Sequence, residues 1–140
     1  MVFNLKLVTQ PDVVDKNGRV YSKEAYKECE DQILQRLKHG TLYVSDGNGN
    51  FAGNITQPTV SHIIGKVINK YDDSIDVDIT NEAVASCLKG YADNFKIGMN
   101  YFGRVNLGTD NIAHISDMKF GSYYLLDKNG IAFNCLGKKY

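Results

Sequence analysis

The sequence predicts an α+β fold, a mostly antiparallel sheet or small β-barrel flanked by two helices. Apolar and polar residues alternate along several short segments, as on half-buried strands, and two other segments repeat their apolar residues at helical spacing. The elements follow the order strand, helix, strands, helix, strands, without the regular alternation of a parallel α/β sheet. No linker or internal repeat divides the 140 residues, so we expect one domain spanning 1–140.

The first part of the chain predicts a strand, a turn and a long helix. Residues 3–8 alternate as a strand does, and residues 15–18 (DKNG) predict a turn, because Asn-Gly tolerates the positive φ that tight turns require. A helix is expected at about 23–38, capped by Ser22 and ended by Gly40. Its buried stripe is predicted to consist of Tyr26, Cys29, Ile33, Leu34 and Leu37.

The middle of the chain predicts a short strand at 41–44, a Gly- and Asn-rich loop at 46–54 and a hairpin at 60–79. The second arm of the hairpin alternates strictly. Asp76 and Asp78 are therefore expected on its solvated face, and the neighbouring sequence offers no further ligands for a metal ion.

The last part predicts a second, shorter helix and three more strands. The helix is capped by Thr80 or Asn81 and ends at Gly90, and strands are expected at 95–105, 115–126 and 131–136. The buried stripe of this helix is predicted to consist of Ala83, Val84, Cys87 and Leu88.

Composition argues against several classes of function. The 16 basic and 16 acidic side chains cancel, so no overall field attracts the chain to nucleic acid or to an anionic membrane. No apolar run reaches the length of a membrane span, and the first residues do not predict a secretory signal. Phosphate-loop, dinucleotide and zinc-protease motifs are absent, so no cofactor and no metal are expected. The widely spaced Cys29, Cys87 and Cys135 are interpreted as buried, reduced thiols.

Two histidines are candidates for acid–base chemistry. His62 follows Ser61 at the start of an apolar strand, and His114 lies close to Ser116 in sequence. A structural hydrogen-bonding role is favoured for both histidines.

The segment DKNGRVYS at 15–22, followed at once by a helix, resembles the opening of the tailed-phage prohead proteases, which are related in fold to herpesvirus assemblin. That family shows N-G-R-x-Y-P before its first helix. It then has a G-E-L-x-H-P element with the catalytic histidine, V-S-H-x-I on a strand, and an S-S-R-x-x-G element with the nucleophilic serine. This chain has VSHII at 60–64, in the corresponding order.

Two departures from the family pattern decide what the resemblance implies. The chain reads GTLYVS at 40–45, which places Val44 at the histidine position. It reads IGMNYFG at 97–103, which places Gly98 or Met99 at the nucleophile. Because these side chains provide neither a base nor a nucleophile, we expect a degenerate relative without catalytic residues.

The expected function is therefore that of a non-catalytic phage virion protein, an auxiliary, decoration or inner component of the capsid. Its expected partners are the major capsid protein and other head proteins, in repeated copies on a symmetric shell, after assembly in the host cytoplasm. The alternative is an active prohead serine protease that processes capsid and scaffold proteins, using His62 or His114 with Ser61, Ser116 or Ser122. A third possibility is a small host-side binding domain of unrelated ancestry.

Overall fold

The computed structural model describes residues 1–46 and 62–129. In these ranges the strands are β1 (Val2–Leu7), β2 (Arg19–Tyr21), β3 (Tyr43–Ser45), β4 (Ile63–Lys70), β5 (Ser74–Ile79), β6 (Phe95–Leu107) and β7 (Ala113–Asp127). The helices are α1 (Lys23–His39) and α2 (Glu82–Leu88), and a 3-10 turn covers Ala92–Asn94. The predicted strand at 131–136, most of the predicted loop at 46–54, Ser61 and Cys135 lie outside the described residues.

In the described part of the chain, six strands close into a barrel in the order β7-β3-β4-β5-β1-β6, because β6 pairs back onto β7. Neighbouring strands are antiparallel except for the β3–β7 and β1–β6 pairs, which are parallel. The short strand β2 pairs in parallel with the first residues of β7. The predicted α+β class with a small barrel and two helices is confirmed, whereas β2 was not predicted.

The two longest strands make this closure possible. β6 and β7 have 13 and 15 residues and pair with each other along most of their length. Their register shifts between Asn100 and Tyr101 and again between Phe102 and Arg104. Bulges of this kind bend a strand and increase its twist. As a result, the second half of β6 leaves the barrel while the first half completes it.

Helix α1 lies on β7 and has the predicted ends. The Ser22 hydroxyl accepts a hydrogen bond from the backbone N–H of Ala25 at 3.1 Å, and Gly40 ends the helix with φ 70°. Arg36 donates to the carbonyl oxygen of Gly121 at 2.9 Å, and its guanidinium lies 4.8 Å from the centre of the Phe120 ring. The helix is therefore fixed to the strand by polar contacts as well as by apolar packing.

The predicted buried stripes of both helices are partly wrong. On α1, Tyr26, Cys29 and Ile33 are buried as expected, but Leu34 is exposed because it lies about 100° around the helix from Ile33. On α2 the buried residues are Val84 and Leu88, whereas Ala83 and Cys87 are exposed. Helix α2 has only 7 residues, and it buries a single row of side chains that does not include Cys87. Cys87 is therefore not the buried thiol that was expected.

No helix among residues 1–46 and 62–129 combines the length and hydropathy of a membrane span.

Replacing Ile33 by alanine is expected to lower the free energy of unfolding by about 2–5 kcal/mol, because the side chain is completely buried against the barrel. The matched control is the neighbouring Leu34→Ala, which is expected to change stability by less than about 0.5 kcal/mol. Urea denaturation of the two variants checks this difference. Equal losses would show that α1 packs with a different face on β7.

Candidate functional site

The positions that the resemblance assigns to catalysis lie together in the barrel. On the neighbouring strands β3, β7 and β6, Val44 is opposite Tyr123, which is opposite Met99. In the next row, Ser45 is opposite Tyr124, which is opposite Gly98. Because side chains alternate between the faces of a sheet, one of these rows points into the barrel and the other points outward.

The inward row is part of the hydrophobic core. Val44 and Tyr123 are completely buried and Met99 is nearly so. The Phe120 ring packs edge-on against Tyr123 with 5.0 Å between the ring centres, and burial raises the pKa of the Tyr123 phenol well above its usual value. A histidine at position 44 would thus face the core, where a substrate has no access.

The outward row is closed by an aromatic ring. A Cβ atom on Gly98 would lie 2.6 Å from Cζ and 2.9 Å from the hydroxyl oxygen of Tyr124. The Tyr124 phenol therefore lies in the space that a side chain at position 98 would need. Burial raises the pKa of this phenol, and the positive charge of Arg19 partly opposes the increase.

Shifting the motif match by one residue does not restore a catalytic pair. The whole of β3 (Tyr43–Ser45) contains no imidazole, and residues 97–100 contain no hydroxyl or thiol. A serine protease needs a nucleophile and a base within hydrogen-bonding distance of each other. At these positions β3 provides no base and residues 97–100 provide no nucleophile.

The turn at 15–19 lies beside this row. Asp15 Oδ1 accepts hydrogen bonds from the backbone N–H groups of Asn17 at 2.8 Å and Arg19 at 3.0 Å, which fixes the turn. Between the turn and β6 lies a cleft of about 160 Å³ with Gly98 and Asn100 among its lining residues. Two separate elements of the family resemblance, the N-G-R-x-Y segment and the nucleophile position, are therefore adjacent in space.

His62 forms a buried pair with a residue that the sequence analysis placed only in a loop. Its Nδ1 atom lies 2.9 Å from Oδ1 of Asp46, and the Asp46 backbone N–H donates to the His62 carbonyl oxygen at 2.9 Å. The Asp46 side chain is 0% exposed and that of His62 is 18% exposed. A carboxylate bound to Nδ1 orients the ring and places the proton on Nδ1, which leaves Nε2 as the basic atom. The signal that could have found Asp46 is an acidic residue directly after an apolar strand.

The Asp46–His62 pair lies between the ends of β3 and β4, and not at the position that the resemblance assigns to the nucleophile. Strand β4, which follows His62, is separated from β6 by β3 and β7. Among the described residues, Asp46 is the one that hydrogen-bonds the His62 ring. Ser61 lies outside the described residues, so its predicted pairing with His62 stays a prediction.

The other sequence candidates are not assembled into a site. His114 Nε2 lies 3.2 Å from Oδ2 of Asp110 at the exposed tip of the β6–β7 hairpin. Ser116 follows on β7 opposite Arg104, and the buried Ser122 accepts a hydrogen bond from Asn100 Nδ2 at 3.4 Å. The rings of His62 and His114 hydrogen-bond carboxylates and neither of these serines.

The two aspartates of β5 form polar contacts on the outer face, where they were expected. Asp76 accepts hydrogen bonds from Asn4 at 2.9 Å and from the Tyr71 hydroxyl at 2.8 Å, and these hold the pKa of its carboxyl below the usual value. Asp78 pairs with the terminal amine of Met1 at 3.1 Å. Within the ranges that the structure covers, no three His, Cys, Asp or Glu residues are grouped as metal ligands.

A known capsid protease has a similar structure. No protein-family model matches the sequence, and no curated protein matches it either. The solved structure of the bacteriophage T4 capsid assembly protease gp21 superimposes with a TM-score of 0.61 at 12% sequence identity, covering 88% of this chain and 80% of the T4 chain. This chain therefore has a prohead-protease-like fold.

Introducing a serine at position 98 is expected to destabilise the protein by about 1–3 kcal/mol, because the new side chain overlaps the Tyr124 ring. In a Tyr124→Ala background the same Gly98→Ser change is expected to cost less than about 0.5 kcal/mol. Urea denaturation of the two single variants and the double variant measures this coupling. An identical cost in both backgrounds would contradict the close contact between positions 98 and 124.

Proposed function

We propose that this chain is a non-catalytic phage capsid component that binds the major capsid protein and other head proteins, in repeated copies on the shell. One observation carries the proposal: in this prohead-protease-like barrel the Tyr124 ring covers Gly98, which with Met99 is one of the two residues that the family resemblance places at the nucleophile. The chain assembles in the host cytoplasm and stays with the virion. Its action requires no cofactor, since it consists of docking.

The fold supports a role in the phage head. The T4 protein with the similar fold is a capsid assembly protease. A chain with that fold and without a nucleophile on β6 can still dock on head proteins through its outer surface, but it cannot form an acyl-enzyme. Because its formal charge is zero, binding depends on local contacts and not on a long-range field.

Quantitative mass spectrometry of purified particles tests this proposal. Uncleaved copies are expected in proheads and in mature virions, at the same ratio to the major capsid protein in both, because a structural component is retained during maturation. A tail protein of known copy number provides the reference for each preparation. Loss or self-cleavage of the chain during maturation would contradict a permanent structural role, and absence from both particles would contradict a capsid role altogether.

A second candidate function, the active prohead serine protease, is favoured by the Asp46–His62 pair. A buried carboxylate that orients an imidazole is two thirds of a catalytic triad, and the missing part is a nucleophile. In this case the serine would have to reach Nε2 of His62 from outside the β3–β7–β6 rows.

Labelling with a fluorophosphonate, which modifies activated serines, separates the two candidates. No covalent label is expected on the unmodified chain, and no cleavage of capsid or scaffold protein in a mixed lysate. Two matched variants, His62→Ala and His114→Ala, define the informative result. A serine label that is lost in His62→Ala and kept in His114→Ala would establish the protease and overturn the non-catalytic proposal.

A further inference from the structure

The outer half of β6 extends beyond the barrel as an exposed arm, residues 102–107. β7 pairs with one edge of this arm, and β2 covers the opposite edge of β7. On the other edge of the arm, no residue of the described ranges 1–46 and 62–129 pairs with it, because β1 pairs with β6 only at Lys96 and Ile97. Within these ranges, the backbone N–H and C=O groups on this edge have no strand partner, so another strand can pair with them.

An apolar row runs outward from the core to this edge. Tyr21 of β2, Ile115 of β7 and Val105 of β6 are opposite one another in register. The first two are buried, but Val105 is 61% exposed, and Leu107 on the same face is 73% exposed. The row therefore ends at an uncovered position, where one more strand would bury both side chains.

We propose that the arm pairs antiparallel with the arm of a second copy of this chain, so that the two sheets become continuous. A twofold axis perpendicular to the sheet keeps the apolar faces of both copies on the same side. If the axis passes beside Asn106, Val105 lies opposite the partner's Leu107. The same relation holds in reverse, so the contact is self-complementary. This inference does not depend on the proposed function.

The charges on the arm agree with a second copy as the occupant. Exposed edge strands are usually protected by lysines or prolines, yet the only charged side chain at 102–107 is Arg104. In the register just described Arg104 lies opposite the partner's Gly108, so like charges do not meet. The formal net charge of zero also removes the general repulsion between copies.

The contact is small, which sets the expected affinity. In this register residues 105–107 of the two arms lie opposite one another, and a contact of this length buries less than the roughly 800 Å² per partner of a standard stable interface. The dimer should thus form with a dissociation constant of about 10–100 μM.

Sedimentation equilibrium between about 5 and 500 μM tests the pairing. The unmodified chain is expected to change from monomer to dimer in this range, and Val105→Lys to weaken the dimer by about tenfold or more, because it places a charge at the edge. The matched control is Val13→Lys, which has the same chemistry and nearly the same exposure at 58%. The backbone N–H groups of Asp12 and Asp15 donate to carbonyl oxygens of β2, so Val13 lies beside β2 and not on the free edge of the arm, and no effect is expected there.

A chain that remains monomeric at the highest concentration would overturn the proposal, as would equal weakening by Val13→Lys and Val105→Lys. Thermal unfolding of each variant checks that it is folded. If Val105→Lys does not fold, hydrogen exchange of the unmodified chain tests whether the arms of two copies pair. Amide protection at 102–107 should rise with protein concentration, and protection that is independent of concentration would contradict pairing between copies.

Discussion

The long pairing of β6 with β7 is the interaction on which the rest of this structure depends. It closes the barrel, and its outer part carries β2 on the free edge of β7. α1 also lies on β7, through the Arg36 hydrogen bond to the carbonyl of Gly121 and through apolar packing. The 15 residues of β7 thus contact β2, β3, β6 and α1. A local change on β7 therefore affects the barrel wall, the helix and the arm together.

The β6–β7 pair contributes both to the barrel core and to the candidate site. Tyr123 and Tyr124 are adjacent in sequence and therefore point to opposite faces, one into the core and the other over Gly98. Residues that pack the barrel thus alternate with residues on the outer face, where the Tyr124 ring covers Gly98. The glycine at position 98 and the close approach of the Tyr124 ring belong to one contact, since only glycine leaves room for the ring.

Local signals predicted the local structure well. The caps of α1, the hairpin β4–β5 and the segments of β6 and the inner part of β7 follow from turn residues and periodicity alone. Long-range pairing was not predictable, because alternation indicates a strand but does not indicate which strand lies next to it. The parallel β3–β7 pair and the strand β2 are both defined by such pairing with a distant segment. The Asp46–His62 pair was missed for the same reason: it joins residues 16 positions apart across strands whose pairing the sequence does not state.

The Asp46–His62 pair also joins the ends of two neighbouring strands. Its side-chain and backbone hydrogen bonds hold the ends of β3 and β4 together, so the barrel wall is complete at this point whatever connects the two strands. With both ends fixed, doubling the length of a flexible connection costs only about 0.6 kcal/mol. The barrel wall at this point therefore depends on the Asp46–His62 hydrogen bonds and little on the length of chain between the two strands.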